Sequence, residues 1–122
     1  MSNSELADQC NKAIAAHSAW KAKFKKLLAG ELQIDVATTR KSDVCDFGKW
    51  LATGGTRAMI GGDFATIDAA HKQFHSVAAD VVAFCAAGQR GQAEEALSLT
   101  GTFTRASRVL VQLMLAARSK AD

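Results

Sequence analysis

The stretch FATIDAAHKQFHSVAADVVAFC, residues 64–85, decides the class of the fold. Phe64, Ile67, His71, Phe74, Ala78, Val81 and Cys85 stand alternately three and four apart, the spacing of one apolar stripe along a helix. Gly61, Gly62 and Asp63 precede the run and Gly88 ends it. The first segment repeats the pattern at Leu6, Cys10, Ala13, His17, Trp20, Phe24 and Leu27, with Ser4 as its expected N-cap and Gly30 as its stop. A last segment, from about Gln92 to Ser119, carries a seam of Ala96, Leu99, Phe103, Ala106, Leu110, Leu113 and Ala117. Gly101 interrupts that seam at a cost of about 1 kcal/mol against alanine, so a bend is expected there.

Between the first long segment and the one at 64–85, Ser42 is expected to cap a short helix from Asp43 to about Thr53, closed by Gly54 and Gly55. The stretch ELQIDVATTRK, residues 31–41, fits neither helix nor strand clearly. The chain has no proline, and strand signals are otherwise absent. The expectation is an all-α fold: an antiparallel four-helix bundle of three long helices and one short one, with residues 1–122 forming a single domain.

Composition narrows the function. Apolar residues at 48% and charged residues at 22% are globular values. No apolar run is long enough to span a bilayer, and the polar, acidic stretch Met1–Asp8 does not read as a secretory signal. A cytoplasmic protein without membrane insertion is expected. Its three cysteines, an odd number, would then stay reduced. The net charge of +3 is mild, and its most visible source is KAKFKK, residues 21–26. Lys21, Lys23, Lys25 and Lys26 cover the outside of a helix while Phe24 falls on the apolar stripe, so the run reads as a solvated face. Nucleic-acid binding is not expected, because it would call for more charge and for exposed aromatics.

All three histidines lie on or beside core-facing stripes. His17 and His71 replace apolar residues in their seams, and His75 follows His71 by one turn. A lone histidine on an apolar face is ordinarily a hydrogen-bonded core residue. Burying three without partners would cost about 1–3 kcal/mol each, and a shared metal removes that cost. The i, i+4 pair His71 and His75 can reach one ion. No glutamate follows His71, so the HExxH zinc-protease motif is absent, and three histidines are too few for a di-iron oxygen carrier. Three imidazoles and one thiolate would make a closed tetrahedral set for zinc. Cys10 stands two turns from His17, about 10 Å along the axis, and Cys85 lies more than two turns beyond His75. Both read as small core residues. Cys45 begins its own short helix, where the positive end of the dipole favours a thiolate. It is the best placed of the three, although spacing alone does not prove it.

Three runs, HSAWKAKFKKLL (His17–Leu28), CDFGKWL (Cys45–Leu51) and HKQFH (His71–His75), taken in order resemble the CZB, or chemoreceptor zinc-binding, domain. Members of that family carry a histidine with a tryptophan three residues on, a Cys-x-[Leu/Phe]-Gly-x-Trp-[Leu/Tyr] motif, and two histidines four apart. His17 with Trp20, Cys45 to Leu51, and His71 with His75 match these in turn. The resemblance implies a Zn2+ site of His17, Cys45, His71 and His75. Trp20, Gly48 and Trp50 would support it, and Cys45 would be the redox-sensitive residue. It also implies a bacterial, cytoplasmic, non-catalytic sensory or regulatory domain that reads zinc or hypochlorous acid. Because no receptor or cyclase segment is read in this chain, output is expected in trans to a chemoreceptor or diguanylate cyclase partner, or through a homodimer surface. The alternative is a structural zinc protein or a zinc buffer. An enzyme is not expected, since four protein ligands leave no open position for water.

Overall fold

The computed structural model describes residues 2–42, 45–52 and 63–120, with side chains for 7–42, 45–52 and 65–117. It is all-helical, and among the described residues there is no strand. The elements are α1 (Ser2–Ser18), α2 (Trp20–Leu28), α3 (Val36–Arg40), α4 (Asp46–Trp50), α5 (Asp63–Ala86), α6 (Arg90–Ala96) and α7 (Thr102–Lys120). Helices α1 and α2 are joined through Ala19, whose N–H donates to the Ala15 carbonyl at 3.2 Å while its own carbonyl accepts from Lys23 at 3.3 Å. Helix α5 is central. It packs on α2, α3, α6 and α7, while α1 packs on α4 and α7.

Three phenylalanines join the long segments. The ring of Phe103 on α7 lies 4.9 Å from Phe24 on α2 and 5.3 Å from Phe74 on α5, centroid to centroid. All three are buried, together with Cys10, Ile67, Val81, Val82, Leu110 and Met114. Each such side chain contributes roughly 1.5–3 kcal/mol by leaving water. The seams read from the sequence account for most of this core. Leu6 and Phe64 fall where no side chain is described.

The helix ends differ from expectation in several places. Ser4 lies inside α1 and does not cap it. The stretch around 31–41 contains α3, whose start is fixed by Asp35: its carboxylate accepts from the Thr38 N–H at 2.8 Å and from the Thr38 hydroxyl at 2.6 Å. Helix α4 begins later than expected, and its N-cap is Cys45 rather than Ser42, with Sγ accepting from the Gly48 N–H at 3.3 Å. Asp43, Thr53, Gly54, Gly55, Gly61 and Gly62 lie outside the described residues. Gly30 and Gly88 close α2 and α5 as expected, at φ of 77° and 76°. After each, the next N–H reaches back to Lys26 or Phe84 at 2.9 and 2.8 Å, which satisfies carbonyls the helix leaves open.

The last segment is two helices rather than one bent helix. Helix α6 ends at Ala96, α7 starts at Thr102, and Leu99, expected in the seam, is 79% exposed. Gly101 makes the break possible. A Cβ there would run into the backbone carbonyls of Glu95 and Ala96, so the end of α6 packs directly on the Gly101 backbone. Gly101→Ala is therefore expected to lower unfolding free energy by about 1–3 kcal/mol, the usual cost of overpacking against atoms that cannot yield. Gly91→Ala, which would meet nothing within 4 Å, is expected to be neutral or to stabilise by up to about 1 kcal/mol. Urea denaturation of the two variants beside the parent checks this; equal midpoints would refute the close approach at Gly101.

Candidate metal centre

Three elements bring four side chains together. His17 sits in the last turn of α1, His71 and His75 project one turn apart from α5, and Cys45 caps α4. One ligand-type atom from each lies within 4.8 Å of every other. The histidines are 3%, 1% and 3% exposed, while Cys45 is half-buried. No described carboxylate joins the cluster. Cys10, buried in the core, and Cys85, near the end of α5, stand outside it.

The hydrogen bonds orient the rings. His17 Nδ1–H donates to the Ala13 carbonyl at 2.7 Å, and His75 Nδ1–H donates to the Thr39 carbonyl at 2.9 Å. A carbonyl cannot donate, so the proton must be on Nδ1 in both rings, which leaves each Nε2 with a lone pair. His71 Nε2 lies 3.1 Å from His75 Nε2 and 3.3 Å from Cys45 Sγ. Two ring nitrogens and a sulfur thus face one another at close range with at most one or two protons among them. A cation at their centre would take the place of those protons and be shared by all of them. The spacing suits zinc: bonds of about 2.0–2.1 Å to nitrogen and 2.3 Å to sulfur give tetrahedron edges of roughly 3.3–3.6 Å. Backbone carbonyls on the far nitrogens are the usual outer partners of metal-bound imidazoles.

Aromatic edges wall the cluster. Phe74 lies 4.8 Å from His17, and Phe47 on α4 lies 5.1 Å from His71. Gly48 is buried beneath the Cys45 turn, and Trp50 is buried against Phe47 at 5.9 Å. Trp20 is only partly buried. It packs on Phe24 at 5.4 Å, with the Lys23 ammonium 4.6 Å from its ring centroid.

Burial sets the protonation states. It pushes His17 from 6.5 down to about 4, against a smaller upward pull from the Ala13 carbonyl. Burial, and then the charges of His75 and His17, push His71 down to about 3. His75 is lowered by burial too, with the Thr39 carbonyl opposing. The imidazoles are therefore held neutral, which is their metal-binding form. Cys45 departs from expectation. Burial raises its thiol, and the N–H groups of Gly48 and Phe47 offset this only in part. A five-residue helix supplies too little dipole to ionise a buried thiol, so a thiolate here requires a cation beside it.

The zinc-binding character of such a set is matched by kinship. The chemoreceptor zinc-binding domain family matches residues 17–82, more than half of the 122-residue chain, and the match spans all four clustered side chains. The chain belongs to the CZB family. Zinc is the cofactor of CZB domains, and the cluster of His17, Cys45, His71 and His75 fits it. No curated protein and no solved structure matches the chain. Among the described residues no helix is long and apolar enough to cross a membrane.

Two parts of the centre escaped the sequence, the carbonyls of Ala13 and Thr39. The Asp35 and Thr38 pairing that starts α3 was a readable signal for the turn that presents Thr39. A backbone acceptor carries no side-chain signature of its own.

The depressed histidines fix the pH response of the metal-free CZB chain. The unfolded chain takes up protons below pH 6.5, whereas the folded chain does so only near pH 4 and pH 3 for His17 and His71. Their contribution to stability is complete above pH 6.5 and is lost as pH falls toward those values. Because more than one imidazole titrates, the loss is expected to exceed about 1.4 kcal/mol per pH unit between pH 6 and 5. Denaturant titrations of chelator-treated protein at pH 7.5, 6 and 5 check this, and an unchanged midpoint would contradict it.

Proposed function

We propose that this CZB chain is a non-catalytic zinc-binding regulatory module in which His17, Cys45, His71 and His75 hold one zinc ion. The convergence of the four ligand-type atoms within 4.8 Å carries the reading. When bound, zinc supplies the charge that keeps Cys45 a thiolate, and it ties α4 to α1 and α5. The four side chains would fill the four positions of a zinc ion and leave none for substrate water, and no described carboxylate stands among them to act as a base. The three long segments then form an antiparallel bundle, with α4 as the movable fourth element.

Exposure favours the sulfur as the point of regulation. Cys45 lines a surface cleft together with His17, His75, Trp20, Lys12 and Lys23, but the histidines are buried there whereas Cys45 is half-buried. Hypochlorous acid would oxidise the thiolate to a sulfenic acid and be reduced to chloride, which removes a strong ligand reversibly. Freed of that bond, α4 keeps its packing through Phe47, Trp50 and Leu51 but loses its tie to the histidines and can shift. A partner of the chemotaxis or cyclic-di-GMP machinery, or a second copy of the chain, would read that movement.

Purified protein is expected to hold one zinc per chain. Cys45→Ala or His71→Ala should weaken binding by about a hundredfold or more, beyond the 10–100-fold that loss of an outer partner costs. Cys10→Ala and Cys85→Ala should leave it unchanged. Competition against a chromophoric chelator measures this, and mass mapping after substoichiometric hypochlorite should find Cys45 modified first, with zinc released. Retention of zinc by Cys45→Ala at parent affinity would refute the ligand set. First modification at Cys10 or Cys85 would leave zinc binding standing and remove the oxidant response.

A further inference from the structure

A groove of about 310 Å³ separates the junction of α1 and α2 from the first half of α7. Buried His17 and Phe103 form its floor. Ser18 and Lys21, three apart, face it from one side. Thr104, Ser107 and Arg108, one face of α7, meet them from the other. The Thr104 hydroxyl donates to the Leu97 carbonyl at 3.2 Å and so holds the upper turn of α7 in place. Ser18 and Ser107 bring two further hydroxyls to the rim.

The charge balance of this groove is unusual for the molecule. The clefts beside α5, α6, Cys45 and His71 include carboxylates: Asp80, Glu95, Asp46 and Asp68. Among the described residues this one is lined by two cations and no carboxylate. Four of the described cations are paired: Lys12 with Asp8 at 3.0 Å, Arg40 with Asp80 at 3.3 Å, Lys72 with Asp68 at 3.0 Å and Arg90 with Glu94 at 3.5 Å. Among the described residues neither Lys21 nor Arg108 has an ion pair. The supporting helices do not supply one, since neither Trp20–Leu28 nor Thr102–Lys120 contains an aspartate or glutamate. An anion lying between two cations on opposite walls of one groove would be attracted by both.

We infer that this groove binds a small phosphoryl-bearing dianion. Arg108 offers the planar fork that matches phosphate oxygens, Lys21 a second charge from the opposite wall, and Ser18 and Ser107 neutral donors. The volume lies at the lower end of the range for ligand sites, enough for a phosphate with a few further atoms. The lysine run KAKFKK thus has one member, Lys21, turned to a specific task, while Lys25 on the next turn remains outside the groove. Because His17 forms part of the floor, the anion would lie one side chain away from the metal centre.

The test is a nuclear magnetic resonance titration of zinc-loaded, isotope-labelled protein with inorganic phosphate, with glycerol 3-phosphate, and with sodium chloride at matched ionic strength. Zinc content is measured before and after, so failure of anion binding with zinc retained counts against this site alone. Saturable shifts confined to the amides of Ser18, Lys21, Ser107 and Arg108 are expected with one or both phosphates and not with chloride. Arg108→Ala and Lys21→Ala should each weaken binding at least tenfold, and Lys25→Ala should leave it within twofold. All three side chains are exposed, so the variants should keep the parent circular dichroism. Tighter binding of glycerol 3-phosphate supports the site with an organic phosphate as its occupant; tighter binding of inorganic phosphate supports it with the free ion. Shifts that rise without saturation, match those with chloride, or weaken equally in Lys25→Ala would overturn the proposal.

Discussion

Three imidazoles and a cysteine sulfur share one space from which water is largely removed, with their lone pairs turned toward a common centre. Two of the rings are held by backbone carbonyls, His17 by Ala13 and His75 by Thr39, so their inward nitrogens cannot carry the proton. Burial keeps all three rings neutral. A positive charge at the centre would stabilise this arrangement further, because it gives the inward-facing nitrogens and the sulfur one shared partner. The placement of α4 follows from the same constraint. Its five residues cannot form a stable helix alone, and their N-cap is the sulfur that faces His71.

The apolar core and the metal centre are one continuous structure. Phe103 touches Phe74, and Phe74 touches His17, so the contacts that join the long helices also wall the cluster. Native interiors are close-packed, and a displacement of α4 must be taken up at Phe47, which touches His17 and His71 and in turn packs on Trp50. A zinc ion held by Cys45 and the histidines would thus tie the position of α4 to α1 and α5 through contacts of a few ångströms.

Much of this was legible from residue spacing. His17 and His71 occupy seam positions, so the periodicity that predicts the helices also predicts that the rings face inward, and both are buried as expected. Cys45, His17, His71 and His75 were named as ligands by resemblance to the CZB family, and the fold brings those four together. What spacing could not show depends on backbone. Helix α3 rests on one carboxylate cap at Asp35. The split between α6 and α7 rests on the missing side chain of Gly101, and it leaves Leu99 in solvent against its place in the seam. The helix start that favours a Cys45 thiolate is visible in sequence, whereas the burial that raises the thiol in the metal-free chain is not.

Zinc K-edge X-ray absorption on the loaded protein tests the central claim most directly. The account predicts three nitrogen scatterers at about 2.0–2.1 Å and one sulfur at about 2.3 Å, with the sulfur shell lost in Cys45→Ala and retained in Cys10→Ala and Cys85→Ala. A parent spectrum without sulfur, or one that needs two sulfurs, would contradict it.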